Sequence, residues 1–194
     1  PHILAPTSFM PAPHSYLYPI FAVAFMTGCA SMPQYAGEAA MFYRDYVGPV
    51  AKQGAALMRV SADGVIRVTP GSTCADFSKA ETGVALFSAP STKDYQYLHN
   101  RKLGMQGDPP KALTSTEIAL EGDRPVVLSY TRLWTVRGTD FTCQMHRTFV
   151  PDAGAQYQLL AEPQFDEGKC VMFVTRITEP AFIVPAVPAK LCGT

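Results

Sequence analysis

Alternation of apolar and polar side chains dominates this chain from residue 56 onwards. Along the segment 140–150, Phe141, Cys143, Met145 and Phe149 fall on one face, and mostly polar side chains fall on the other. A period of two residues is typical of a half-buried β-strand. Eight segments fit this interpretation, and they predict strands over residues 56–61, 65–69, 83–88, 114–120, 126–136, 140–150, 156–161 and 169–178.

Turn-forming residues separate the predicted strands at short intervals. Asp63-Gly64 predicts a β-hairpin between the first two strands, because this pair favours the positive φ angles of a two-residue turn. A parallel α/β fold would need helices between its strands, whereas many short strands with tight turns are typical of sandwiches and barrels. The sequence therefore predicts an all-β fold, an antiparallel β-sandwich of about seven to eight strands.

The tail of the chain, residues 179–194, departs from the strand pattern. It carries three prolines among apolar side chains, and proline cannot donate to the hydrogen-bond ladder of a central strand. We expect the tail to cross the sandwich as an extended strap that is pinned at Cys192. The predicted β-sandwich domain, with this strap, covers residues 52–194. The three prolines are Pro180, Pro185 and Pro188.

The segment before the first strand allows two interpretations. One is a plain tether, and the other is a short helix with one apolar stripe that ends at Gly48-Pro49. The pattern does not choose between them. The apolar stripe would consist of Met41, Phe42, Tyr46 and Val47.

The first thirty residues form an apolar leader. Every Asp, Glu, Lys and Arg of the chain lies at Glu38 or later, and residues 16–26 are almost wholly apolar. This length is typical of the core of a signal peptide. A transmembrane helix, the alternative, needs about 20 apolar residues. Extending the run that far includes polar residues and Gly28, and Pro19 interrupts it.

Met26-Thr27-Gly28-Cys29 directly follows this leader and resembles the lipobox of bacterial lipoproteins. The resemblance implies that residues 1–28 are a signal peptide and that Cys29 becomes the first mature residue, carrying lipid such as palmitate. Residues 29–51 would then form the lipid-attachment tether. Ala30, in place of Asp, is similar to lipoproteins sorted to the outer membrane, on its periplasmic or surface face. The leader has no Lys or Arg before its apolar core, and a coincidental cysteine after small residues is the competing explanation.

Charge and composition exclude some partners. Lys plus Arg and Asp plus Glu each number 16, and no run of like charges occurs. A nucleic-acid partner would call for a basic patch, and electrostatic adhesion to anionic lipid would call for a cluster of basic residues. The sequence therefore predicts that the chain binds no nucleic acid, and that its membrane contact runs through the lipid on Cys29.

Four cysteines remain when Cys29 is set aside, and an even number in an exported chain predicts two disulfides. Zinc is the competing interpretation, but no two of the four stand two to four residues apart, as structural zinc sites require. The sequence predicts neither a metal nor a cofactor. The four disulfide candidates are Cys74, Cys143, Cys170 and Cys192.

The predicted strand order also bears on the disulfide pairing. If the last three strands form a meander, Cys143 and Cys170 lie on its first and third strands, about 9–10 Å apart. A disulfide needs Cα atoms within about 7 Å, so Cys143–Cys170 is the least expected pair. Cys74 would then pair with one of these cysteines and Cys192 with the other.

Catalytic signatures do not occur in the sequence. There is no Gly-x-Ser-x-Gly, no Gly-x-Gly-x-x-Gly and no phosphate-binding Gly-Lys-Ser/Thr. His146 falls on the polar face of its strand, where we expect it to be solvated, and Trp134 falls on the apolar face, where we expect core packing. Carboxylates for a glycosidase show no spacing signature. The acids considered were Asp76, Glu81, Glu117 and Asp140.

Residues 89–112 are rich in Pro, Gly, Asn, Asp and Lys and predict a long loop, a feature that is uncommon without a purpose. Within it, Tyr95, Tyr97, His99 and Arg101 are the candidate contacts to a ligand or a partner. A surface loop that happens to be polar is the alternative.

The sequence predicts a non-enzymatic, lipid-anchored envelope protein that acts as an accessory or scaffold in an outer-membrane assembly. The tail and the Tyr95–Asn100 loop are the surfaces that we expect to meet a protein partner. A module that binds a small ligand or glycan is the alternative function. An enzyme of unrecognised type is the third.

Overall fold

The structure is a computed structural model, and it describes residues 44–50, 54–88, 101–165, 169–177 and 180–193. All eight predicted strands are confirmed, and the tail adds two short ones. In chain order the strands are β1 (Ala55–Ala62), β2 (Val65–Pro70), β3 (Gly83–Phe87), β4 (Thr114–Glu121), β5 (Val126–Val136), β6 (Thr139–Phe149), β7 (Gln156–Gln164), β8 (Lys169–Arg176), β9 (Phe182–Ile183) and β10 (Val187–Pro188).

The strands form two five-stranded sheets, which confirms the predicted all-β sandwich. The first sheet has the order β4-β1-β7-β8-β9, and the second has the order β10-β6-β5-β2-β3. Every pair of neighbouring strands is antiparallel except β1 and β7, which run parallel. Alternation within a strand specifies its two faces but not the direction of its neighbour, so the sequence did not predict this parallel pair.

The hydrophobic core lies between the inner faces of the two sheets. Alternate side chains of the central strands meet there, and many are fully buried. Burial of a large apolar side chain stabilises a fold by about 1.5–3 kcal/mol, so this layer is the main source of stability. The largest members are Tyr130, Tyr157, Met58, Ile66, Leu86, Ile118, Leu120, Leu128 and Leu159.

The hairpin predicted at Asp63-Gly64 is wrong, because β1 and β2 belong to different sheets. The tight connection passes from one sheet to the other instead of reversing within a sheet. Gly64 has a φ of 149°, and a Cβ there would lie 2.7 Å from both the carbonyl oxygen of Thr131 and the ring of Tyr130. Glycine thus allows the crossing, and the Tyr130 hydroxyl donates to the carbonyl of Asp63 at 2.8 Å.

The helical interpretation of the segment before β1 is also wrong for the residues that the structure describes. Residues 44–50 are extended, and Asp45 forms a parallel bridge with Val84 of β3. Tyr46 is buried, and its hydroxyl donates to the carbonyl of Ala119 on β4 at 3.1 Å. Edge pairing and burial of this one aromatic ring favour the extended form. Met41 and Phe42 lie outside the described residues.

The two disulfides are Cys74–Cys192 and Cys143–Cys170, with Cα–Cα distances of 5.1 Å and 5.9 Å. The expectation that Cys143–Cys170 would be the least favoured pair is therefore wrong. The strands β6, β7 and β8 do not form a meander, because β6 belongs to one sheet and β7 and β8 to the other. Cys143 and Cys170 face each other across the sandwich, where the disulfide joins the two sheets.

Candidate functional site: the strap surface

The strap, residues 180–193 in the described chain, closes one side of the sandwich. Its first strand, β9, pairs with β8 at the edge of one sheet, and its second strand, β10, pairs with β6 at the edge of the other. Backbone hydrogen bonds add to these short ladders, from Val184 N–H to Val174 O at 2.8 Å and from Ala189 N–H to His146 O at 3.0 Å. One segment thus links both sheet edges, and its prolines limit further pairing with another strand.

The end of the strap is attached to the segment that follows β2. The N–H of Ala75 donates to the carbonyl of Lys190 at 2.8 Å, and the N–H of Cys192 donates to the carbonyl of Ala75 at 3.0 Å. The disulfide of Cys74 with Cys192 lies beside this bridge. The strap is therefore held at three places, by β8, by β6 and by the segment around Cys74.

Five apolar side chains on and beside the strap face the solvent, and we call them the strap surface. Their exposed fractions run from 37% to 68%, although proteins normally bury side chains of this kind. Exposed apolar side chains are typical of interaction sites where they lie together, as Phe173 and Ile183 do on one face of the first sheet, while Val187 lies opposite Thr148 of the second sheet. The strap surface consists of Phe173, Phe182, Ile183, Val187 and Leu191.

Phe173 joins the strap surface to the outer face of the first sheet. It lies on β8 opposite Leu160 of β7, and Ile183 of β9 pairs with Thr175 two residues further along β8. Side chains two apart on a strand share a face, so Phe173 and Ile183 project from the same side of the sheet. The guanidinium of Arg176 lies 5.9 Å from the ring centroid of Phe182. The surface is thus aromatic and aliphatic, with a cation at its margin.

A second aromatic group lies beside the turn that joins β5 and β6. Trp134 stacks on Phe141 at 5.4 Å between ring centroids and meets Phe165 edge-on at 5.7 Å. Trp134 is half-buried against the core, and Phe165 is exposed. One face of the Trp134 ring is therefore occupied by Phe141, which leaves less of it for stacking on a sugar.

His146 is only partly exposed to solvent, whereas the sequence predicted a solvated side chain. It is half-buried on the outer face of the second sheet, where its Nδ1 lies 2.9 Å from the hydroxyl of Ser129 and its ring lies 5.9 Å from that of Phe77. Burial lowers the pKa of His146 below its ordinary value. Burial also lowers the pKa of the neighbouring Arg67. Since Ser129 is fully buried, its hydroxyl is inaccessible to a substrate, and this contact is structural.

Arg59 and Glu117 form a buried ion pair on the outer face of the first sheet, which the sequence analysis missed. They stand opposite each other on β1 and β4, their charged groups are 2.9 Å apart, and both side chains are 3% exposed. Glu117 also accepts from the N–H groups of Leu103 at 2.5 Å and Met105 at 3.4 Å. Arg59 donates to the carbonyls of Met105 and Gln106. The ion pair therefore holds the segment 101–107 against the sheet.

The environment of Glu117 lowers its pKa. Burial by itself acts to raise the pKa, but the N–H groups of Leu103 and Met105 and the guanidinium of Arg59 outweigh it. The carboxylate is thus charged at neutral pH. The signal that could have revealed the pair is Arg59 itself, a charge within the strand Ala55–Ala62, where the neighbouring side chains are apolar or small. Its partner depends on the register between β1 and β4.

The structure places few of the predicted ligand contacts. Arg101 is described, and its Nε donates to the backbone carbonyl of Glu117 at 2.8 Å, so this guanidinium supports the edge of β4. Cys29, the predicted lipidation site, lies outside the described residues. So do three of the four predicted loop contacts, namely Tyr95, Tyr97 and His99.

Three of the carboxylates considered for a glycosidase, Asp76, Glu117 and Asp140, lie on separate elements. Asp76 follows β2 and accepts from the hydroxyl of Ser78 at 2.6 Å, whereas Glu117 pairs with Arg59 on the other sheet. Asp140 is exposed at the start of β6 and accepts from Thr135. Among the described residues, no group of three His, Cys, Asp or Glu side chains is placed to hold a metal.

Within the described part of the chain, no helix has the length and apolar character needed to cross a membrane. No model of a known protein family matches the chain, and no curated protein matches its sequence.

Proposed function

We propose that this protein is a lipid-anchored accessory protein of the bacterial cell envelope. Lipid on Cys29 would attach it to the outer membrane, and the strap surface would bind a protein partner within an outer-membrane assembly. The proposal joins two features of the chain, a lipid attachment site near its N-terminus and a binding surface near its C-terminus.

The pairing of the cysteines is the observation that supports export and lipid attachment at Cys29. The chain has five cysteines, and the two disulfides use four of them. Disulfides form and persist in oxidising compartments outside the cytosol, which supports export. The cysteine outside both disulfides is Cys29, the residue that the lipobox resemblance assigns to lipidation. The cysteines that form disulfides and the cysteine that would carry lipid are therefore different residues.

The strap surface supports binding to a protein. Aromatic residues are enriched at protein interfaces, and two of the five strap-surface residues are phenylalanines. Attachment to both sheet edges and to Cys74 fixes the strap before a partner arrives. A prearranged surface loses less conformational entropy on binding than a mobile tail does.

The intact mass of the native protein, extracted from membranes with detergent, tests the lipid attachment. We expect a chain that starts at Cys29 and carries acyl mass. The Cys29→Ala variant should lack the acyl mass, and Ser31→Ala, two residues away, should keep it. An unmodified wild-type chain that retains its leader would overturn the lipid anchor.

Capture of partners from crosslinked envelope extracts tests the surface. Phe182→Ser/Ile183→Ser removes two exposed apolar side chains of the strap, and we expect it to lose the proteins that the wild type captures. Leu133→Ser is the matched control, because Leu133 is equally exposed but lies on β5, away from the strap. Equal capture by both variants would show that the strap surface is not the binding site.

A further inference from the structure

We propose that the disulfide between Cys74 and Cys192 is a releasable clasp, which a dithiol reductant opens to free the strap, whereas the disulfide between Cys143 and Cys170 is a permanent staple. The proposal concerns two bonds of the same kind in very different surroundings. It goes beyond the proposed function, since release of the strap is a property of the isolated protein.

The two disulfides differ in the accessibility of their leaving groups. Thiol–disulfide exchange requires a thiolate to attack one sulfur and the other sulfur to leave as a thiolate. Cys74 and Cys192 are both half-buried, so either sulfur can leave towards water. Cys170 is also half-buried, but attack there would expel Cys143, which is fully buried in the core. A thiolate in apolar surroundings has a raised pKa and is a poor leaving group.

Ser72 gives the clasp a further advantage. Its hydroxyl lies 3.7 Å from the sulfur of Cys74, and it also contacts the backbone carbonyl of Cys74 at 2.7 Å. On exchange this hydroxyl can turn its proton towards the departing Cys74 thiolate. A hydrogen bond to the charged form stabilises that form, so Ser72 is a positioning residue that favours departure of Cys74.

The exchange is a two-electron reduction of the protein by a dithiol. The first thiolate of the reductant attacks the sulfur of Cys192, and Cys74 leaves as a thiolate beside Ser72. The second thiol of the reductant then attacks the mixed disulfide, and Cys192 leaves. The reductant ends as its own disulfide, and Cys74 and Cys192 end as thiols after each takes up a proton.

Reduction of the two disulfides also has different structural consequences. Apart from the disulfide, the strap is held by two residue pairs at β8, two at β6, one bridge between Ala75 and Leu191, and the hydrogen bonds of the Val184 and Ala189 N–H groups beside these pairs. The strands that carry Cys143 and Cys170 are held by eleven pairs between β5 and β6 and eight between β7 and β8. Opening the clasp therefore frees the strap locally, while opening the staple leaves both strands in their ladders.

Timed reduction of the native protein tests the order of opening. The protein is exposed to dilute dithiothreitol, quenched with an alkylating reagent, and digested for mass analysis. We expect label on Cys74 and Cys192 at least about tenfold faster than on Cys143 and Cys170. Equal rates, or label on Cys143 and Cys170 first, would overturn the proposal.

Hydrogen exchange on the selectively opened protein tests the release. The amides of Ala75, Val184, Ala189 and Cys192, which are hydrogen-bonded in the strap and its attachment, should lose protection, while those of the β5–β6 ladder keep theirs. A strap that stays protected after the clasp is open would show that the bond is only structural. Partner capture is measured separately, so a protein that releases its strap but captures nothing would refute the proposed function alone.

Substitution of Ser72 tests its assigned part. Ser72→Ala should slow reduction of the clasp several-fold without changing reduction of the staple, and Ser72→Thr should restore the rate. Ser78→Ala is the matched control, because Ser78 lies in the same segment and bonds to Asp76 instead. An unchanged rate in Ser72→Ala would show that the hydroxyl does not assist the leaving thiolate.

Discussion

The two sides of the sandwich are closed in opposite ways. On the β3–β4 side, residues 44–48 and 101–107 close the sheet edges with buried groups, the ring of Tyr46 and the ion pair of Arg59 with Glu117. On the β6–β8 side, the strap closes both edges and leaves its apolar side chains in solvent. Burial stabilises the fold, while exposed apolar surface contributes little to it. The β3–β4 side therefore adds to the stability that the core provides, whereas the β6–β8 side leaves apolar surface in solvent.

The ion pair should show the largest effect on the β3–β4 side. Arg59→Met leaves the Glu117 carboxylate buried without its cation, and we expect the free energy of unfolding to fall by about 3–5 kcal/mol. Denaturant unfolding at neutral pH measures it. Arg59→Met/Glu117→Gln removes both charges but keeps an acceptor for Leu103 N–H, and it should recover much of the loss. A loss below about 1 kcal/mol in the single variant, as for an exposed pair, would contradict the assignment.

Tyr46 should contribute less than the ion pair. Tyr46→Phe keeps the buried ring but removes the donor to the carbonyl of Ala119, which costs about 1–2 kcal/mol for an unsatisfied buried acceptor. Burial raises the pKa of Tyr46 to about 12, so its hydroxyl keeps its proton at neutral pH. The same denaturation experiment gives the value. An unfolding midpoint equal to that of the wild type would show that the hydroxyl is solvated.

Acid should weaken the β3–β4 side through Glu117. The pKa of Glu117 is lowered in the folded protein, so its charge stabilises the fold above the ordinary carboxyl pKa of about 4.3, and this contribution is lost as pH falls through the lowered value. Unfolding free energies measured from neutral pH downwards should therefore fall more steeply for the wild type than for Glu117→Gln. Parallel curves for the two proteins below the ordinary pKa would refute the linkage.

The strap should show the smallest effect on stability. Ile183 is 68% exposed, so Ile183→Ser should change the free energy of unfolding by no more than about 0.5 kcal/mol. The unfolding midpoint of the purified variant checks this value. A loss above about 1 kcal/mol would mean that Ile183 packs within the fold, and the contrast between the two sides would fail.

Local pattern was enough to predict the strands but not their arrangement. The segment 140–150 alternates so regularly that β6 could be predicted almost to the residue. Asp63-Gly64 misled because the same two-residue connection serves a hairpin or a crossing between sheets, and only the packing of Tyr130 against Gly64 distinguishes them. The disulfide prediction failed for a similar reason, because the argument against Cys143–Cys170 assumed that β6, β7 and β8 form a meander.

The candidate site was predictable only in outline. Three prolines predicted that the tail would not enter the centre of a sheet, and β9 and β10 lie at sheet edges. Which of its apolar side chains remain exposed depends on the register of those two short strands. The partner of Arg59 likewise depends on the register that places Glu117 opposite it.

The strands of this protein and the even set of cysteines beyond Cys29 could be predicted from the order of its residues. Such features depend on neighbours within a few residues, because side chains alternate along a strand and turn residues act locally. The folded structure was needed to show which strands share a sheet, which cysteines pair and which apolar side chains stay in water. Those outcomes depend on contacts between residues far apart in the chain, such as Cys74 and Cys192 with a separation of 118, and local pattern carries no record of them.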